Sequence, residues 1–271
     1  MTSSTLLCVH AHPDDESLFT AGITSHYRER GVRNVLITCT MGQLGIDQHG
    51  LSGTDAGHDP LTTRATRASE LLRAGALVGV DRQLTLGFKD SGMMGWLANQ
   101  DADAFMNADV EATARVIAEV IDEENASVVV TYDENGFYGH PDHVMAHIVT
   151  RRAVELSESA QRLFYPVVPR SVLASFVSRA RAHRVFLPAW VQDAVADISD
   201  ESVASVMDVS RFSGLKQRAI ATHVSQTDNA DLVTMDEELF ALIFGTEYYQ
   251  LGWRRDEASL ACSEDLFGGL K

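Results

Sequence analysis

Cysteine is scarce in this chain. Cys8, Cys39 and Cys262 are odd in number, far apart and without CxxC spacing, so neither a disulfide framework nor a thiolate zinc site is indicated. Basic residues are in deficit as well. Lys and Arg number 22 against 38 Asp and Glu, a net charge of −16, which leaves no basic stripe for phosphates and excludes a nucleic-acid partner. No apolar run approaches membrane-spanning length, and the opening "MTSSTLLCVHAH" has neither a basic start nor a long apolar stretch. A cytoplasmic protein without a membrane partner is expected. Internal repeats and low-complexity linkers are absent too.

What is present suits an ordinary globular protein. Apolar residues make up 45% of 271 positions, enough for one large α/β unit or two modest domains. "STLLCVHAH" and "RNVLITCT" read as buried strands, and Cys8 and Cys39 within them as small core residues. Helical spacing follows each strand, in "ESLFTAGITSHYRERG" closed by Gly31 and in "LTTRATRASELLRAGALVG" after a Gly-, Asp- and His-rich loop from Met41 to about Pro60. "QLTLGF" and "ASVVVTY" are two further strands, with a helix from about Ala108 to Glu124 between them. Another helix runs from about Pro141 to Glu155. This alternation predicts an α/β fold, a Rossmann-like, mostly parallel sheet with helices on both faces. Residues 1–158 are expected to form the catalytic domain. Residues 159–271, with "RLFYPVVP", "SVASVMDV", "EYYQL" and helices near 171–182 and 212–223, are expected to form a smaller α/β part completing the substrate pocket.

Two His-Pro-Asp segments stand out, "HAHPDDE" after the first strand and "GHPDH" after the fourth. Either one alone would serve as a turn and helix cap, Asp being a good N-cap. Both follow strands whose carboxyl ends face one edge of such a sheet, where ligands collect. Two imidazoles and one carboxylate are what a catalytic zinc requires. By spacing, His12 and Asp15 could close on one ion with His143 arriving from the distant segment; His147, one turn beyond His143, is a rival. Asp14 is left free to take and return a proton. His10 lies within the apolar strand itself rather than in the segment after it and reads as supporting structure.

The pair "AHPDDE" and "YGHPDH" resembles the zinc-dependent de-N-acetylases of the PIG-L/LmbE type. Within that family, "VHAHPDDESL", "VTYDENGFYGHPDH", "DSGM" and "RASEL" are similar to the branch that works on N-acetyl-glucosaminyl-inositol in mycothiol biosynthesis. The likeness covers most of the first 150 residues. It implies zinc ligands His12, Asp15 and His143, with ferrous iron as an alternative metal, and Asp14 as general base. It further implies that Tyr138 polarises the amide carbonyl, and that His140, held by Asp142, stabilises the oxyanion or protonates the amine. Arg67, Asp90 and Met93 match positions that grip the sugar. The implied activity is hydrolytic removal of acetate from an N-acetylglucosaminide, a small amino-sugar substrate, with N-acetyl-glucosaminyl-inositol first among candidates. The alternatives are a mycothiol S-conjugate amidase, a de-N-acetylase of another acetylamino sugar or glycosylated natural product, and a sugar-binding protein without catalysis. One departure from the family pattern bears on inositol. The loop after the second strand is typically acidic in the family, whereas this chain has Gln43, Leu44 and Ile46 there, with Asp47 as a possible substitute acceptor.

Overall fold

The computed structural model describes residues 4–182, 200–256 and 263–270; Cys262 and His183 lie outside them. One seven-stranded sheet forms the centre, in the order β3-β2-β1-β4-β5-β7-β6. Its parallel part is β1 (Thr5–His10), β2 (Arg33–Thr40), β3 (Arg82–Phe88), β4 (Ala126–Val130) and β5 (Arg162–Val167). β7 (Thr246–Arg254) and β6 (Val203–Asp208) extend it with antiparallel pairings. The expected α/β sheet is therefore present, and residues after 158 add their three strands to the same sheet.

Burial on both faces explains the uninterrupted apolar strands. Leu7, Val9, Val35, Ile37, Cys39 and Val129 point to one side, against α3 (Val110–Glu123) and α5 (Pro141–Leu156). Leu6, Cys8, Leu36, Val128 and Val130 point to the other, against α1 (Ala21–Glu29) and Leu71 of α2 (Pro60–Val78). Cys8 and Cys39 are free, buried thiols. Local signals set the helix ends. Asp59 accepts from the Leu61 amide ahead of Pro60, and Gly79 closes α2 at a φ of 98°. Asp109 caps α3 through the Ala112 amide.

The first predicted helix differs in its opening turn. Glu16–Thr20 is a single π-helical turn, and the α-helical part begins only at Ala21. A wide turn leaves the next amides without partners in their own helix. Glu247 of β7 supplies them: its carboxylate accepts from the Gly22 amide at 3.1 Å and the Ile23 amide at 3.0 Å. The Lys216 ammonium at 2.7 Å and the Tyr249 hydroxyl at 2.8 Å complete this buried cluster. The short α4 (Gly136–Gly139), α6 (Arg170–Ala182), α7 (Ser213–Thr222), α8 (Ala230–Thr234) and α9 (Glu237–Phe244) make up the remaining α-helices of the described residues. The last two had no counterpart in the sequence reading, because "ADLVT" and "EELFALIF" are too short to establish a helical period.

Removing one partner of a buried ion pair leaves an uncompensated charge, which costs about 3–5 kcal/mol. Glu247→Ala should therefore lower stability by about 3 kcal/mol in urea unfolding, and Glu247→Gln, which keeps one acceptor, by less. Equal stability of Glu247→Ala and the parent would remove this contact as a fold determinant.

Candidate active site and metal centre

Strand order reverses between β1 and β4, and the two His-Pro-Asp segments meet there, at the carboxyl ends of these strands. His12 lies at the centre. Its Nε2 lies 3.2 Å from Asp142 Oδ2, and its Nδ1 lies 3.4 Å from Asp15 Oδ2 and 3.3 Å from His143 Nε2. His143 Nε2 in turn lies 3.5 Å from Asp15 Oδ1. Tetrahedral zinc ligands at about 2.1 Å from the ion stand about 3.4 Å from one another. The three contacts of the triangle His12, Asp15 and His143 have that length, the two at Asp15 ending on different oxygens; among the described residues, the donor sets that close with one atom from each residue are His12, His140 and His143, and His12, Asp90 and Asp142.

Neighbouring groups aim these donors. The His143 Nδ1 proton points to the Gly136 carbonyl at 3.1 Å, which leaves the Nε2 lone pair facing the triangle. Asp142 Oδ2 accepts a hydrogen bond from His12 Nε2, which leaves Nδ1 facing the triangle in the same way. Asp142 is itself fully buried and accepts from the Ser91 amide at 3.0 Å and from the Ser91 hydroxyl. On Asp15, Oδ2 is committed to the His12 amide at 2.8 Å and the Tyr132 hydroxyl at 2.7 Å, while Oδ1 faces His143. The Tyr132 ring also stacks on His143, with centroids 4.1 Å apart. His10 sits behind this arrangement, bonded to Thr20 and Tyr132.

The charge balance also suits a cation. Asp15, Asp90 and Asp142 are buried around His12, and although burial opposes a charged imidazole, Asp142 and Asp15 raise its affinity for a proton well above the ordinary value. The same pull acts on a metal ion.

Asp14 lines the same cavity as His12 and Asp15. Its backbone φ is 109°, a region costly for a residue with a Cβ and typical of strained functional positions. Burial pushes its carboxyl up to about 7 against the pull of the Arg67 guanidinium. His140 borders the same space, its ring 4.6 Å from that of His12. The Asp142 amide donates to His140 Nδ1 at 3.1 Å, and burial lowers this imidazole to about 3, so its remaining proton sits on Nε2. The Asp142 carboxylate thus holds His12, and its backbone holds His140. Tyr138 lies on the rim with its ring 4.9 Å from His143. His147 takes no part in the triangle; its Nδ1 is bonded to the Tyr132 carbonyl at 3.0 Å.

A cavity of about 460 Å³ opens over these groups. Arg67, Asp90 and Met93 line it, as do Leu44 and Ile46. Arg67 donates to Asp14 Oδ1 at 3.0 Å, to the Gly42 carbonyl at 2.9 Å and to the Pro13 carbonyl, while Asp90 accepts from the Gly92 and Leu44 amides at 2.8 and 3.0 Å. Both residues bind the loop after β2 to the site. Asp47, the possible substitute acceptor, is turned into its own loop, accepting from His49 and Leu51. The sequence reading missed Tyr132, Ser91, Glu16 and Asn229. Tyr132, two residues past the last residue of β4, stood at the predicted ligand-binding edge; Asn229 had no local signal.

Comparison with known proteins identifies the family. The family model described as PIG-L, GlcNAc-PI de-N-acetylase, matches residues 7–154. Two relatives bear the name 1D-myo-inositol 2-acetamido-2-deoxy-alpha-D-glucopyranoside deacetylase. The one from Acidothermus cellulolyticus is 38% identical, with 98% of this chain and 94% of its own length covered. The one from Thermomonospora curvata is 36% identical, with 99% and 98% covered. Among solved structures, N,N'-diacetylchitobiose deacetylase from Pyrococcus horikoshii superposes with a TM-score of 0.60 at 17% identity, covering 92% of this chain and 84% of that one. With the motif residues gathered at one sheet edge and a family match across more than half its length, the chain belongs to the PIG-L family of GlcNAc-PI de-N-acetylases.

Proposed function

We propose that this enzyme is a zinc-dependent deacetylase that hydrolyses the acetamido group of an N-acetylglucosaminide, and that its substrate is the inositol glycoside named for its relatives. The observation carrying this reading is the meeting of His12, Asp15 and His143, whose facing donor atoms stand 3.3 to 3.5 Å apart, beside the Asp14 carboxylate held by Arg67 and Asn229. Residues 1–158 then carry the chemistry and residues 159–271 complete the pocket.

In this reading His12, Asp15 and His143 would hold the ion, which would supply Lewis acidity. Asp14 takes the proton of the attacking water and returns it to the leaving amine. His140 directs its Nε2 proton, and Tyr138 its hydroxyl, to the carbonyl oxygen as negative charge develops there. Asp142 fixes the ring plane of His12. Arg67, Asp90 and Met93 form the sugar-facing wall, with Asp90 offering the second lone pairs of its oxygens to a hydroxyl. Leu44 and Ile46 on the same wall favour a second reading, an acetylamino sugar carrying an apolar aglycone.

The substrate test is amine release by zinc-loaded enzyme from N-acetyl-glucosaminyl-inositol, from N-acetylglucosamine and from an aryl N-acetylglucosaminide. The inositol glycoside should give the highest kcat/KM; preference for the aryl glycoside would select the second reading, and no acetate release from any of them would end the deacetylase reading. Asp14→Asn should keep about one metal per chain and lose at least about 100-fold in kcat, as loss of a general base does, whereas His143→Ala should lose the metal. Equal metal loss in both variants would contradict this division of roles. Tyr132→Phe should weaken metal affinity by about 10-fold in a chelator competition, because a ligand's outer partner is removed. Unchanged affinity would count against the placement of Asp15 Oδ2.

A further inference from the structure

The segment after α7 touches the site at four places, all through buried side chains. His223 Nε2 lies 2.8 Å from Glu16 Oε1, and the other oxygen of Glu16 accepts the Asp14 amide at 2.9 Å. Ser225 donates its amide and hydroxyl to the two oxygens of Glu70, one helical turn beyond Arg67, at 2.9 and 2.7 Å. Gln226 donates to the Ile46 carbonyl of the loop after β2 at 2.9 Å. Asn229 Nδ2 lies 3.4 Å from Asp14 Oδ2.

We propose that His223 and Asn229 are positioning residues for the base. His223 acts through Glu16 on the strained Asp14 backbone, and Asn229 acts on the Asp14 carboxylate. This rests on the reading of Asp14 as the general base.

The physical case begins with the backbone. A φ of 109° at a non-glycine residue persists only where surrounding contacts over-determine it. Glu16 provides such a contact, since its carboxylate receives the Asp14 amide, and the Asp14 carbonyl is held from the other side by the Ser17 and Leu18 amides. Glu16 can play this part only if its own charge is satisfied in the interior, and His223 and the Ser17 hydroxyl, at 2.6 Å, supply that. The side chain is fixed separately. Arg67 holds Oδ1 at 3.0 Å and Asn229 approaches Oδ2, so rotation of the carboxylate is restrained from both ends. A base displaced by about 1 Å can lose on the order of 100-fold in rate. The segment therefore sets the position from which the proton is taken, while making no demand on the metal triangle.

The test compares kcat, KM, metal content and melting temperature in zinc-loaded full-length enzyme, with acetate release from an N-acetylglucosaminide as the assay. Asn229→Ala and His223→Phe should each lower kcat by about 10-fold or more, with KM and metal content within about 2-fold of the parent. His223→Gln keeps a donor near the Nε2 position and should recover most of the rate. In an Asp14→Asn background, Asn229→Ala should cost nothing further, because both changes act on one group. A rise in KM alone, an additive loss in that background, or parental kcat in both single variants would overturn the inference. Loss of rate in proportion to lost metal or folded protein, with no recovery in His223→Gln, would overturn it as well. A parental rate for Asp14→Asn would instead remove Asp14 as the base, and the inference with it.

Discussion

A single imbalance of buried charge organises this molecule. Asp15, Asp90 and Asp142 converge on His12 at the point where the sheet reverses its strand order. Leaving carboxylates unpaired in the interior is costly, so such a group forms only where cations and aimed donors balance it. The parallel sheet makes this possible by delivering two chain segments, far apart in sequence, to one edge. Ser91 and the peptide amides of Leu44 and Gly92 then consume the outward lone pairs of Asp142 and Asp90. What remains unmet faces inward and sets the chemistry available there.

The second half of the chain participates in that balance rather than lying beside it. Glu247 on β7 completes the first turn of α1, and His223 holds Glu16 at the start of the same helical stretch. Both contacts bear on the segment that presents Asp14 and Asp15. Family likeness over residues 7–154 covers both His-Pro-Asp segments, while the contacts to Asp14, Glu16 and the start of α1 come from the later residues.

Much of the site could be read in the sequence, for a physical reason. His12, Asp15 and His143 follow strands whose buried, apolar pattern fixes their direction, so their meeting at one edge follows from topology. The chain of support around them was less legible. Asp142 was expected to hold His140, and its carboxylate instead reaches His12; a residue one position past a helix-starting proline can point to either neighbour, and only packing decides. Arg67 matched a sugar-gripping position, yet three of its contacts go to Asp14, Pro13 and Gly42, which spacing along a helix could not reveal. Asn229 sits 215 positions from Asp14 in a stretch without periodicity. Long-range polar contacts of that kind leave no local pattern, whereas strands and helices do.

The carboxylate of Glu247 has a bearing on synthesis. A nascent chain exposes "HAHPDDE" early, but the amides of Gly22 and Ile23 gain their acceptor only when β7 has emerged and docked beside β5. At translation speeds of about 5–20 residues per second, that interval lasts on the order of ten seconds or more. During it, the segment bearing the site lacks the contact that closes its first helix. The segment bearing the motif is therefore framed by a residue 225 positions downstream of Gly22, so a product truncated before β7 retains the motif without the frame that aims it.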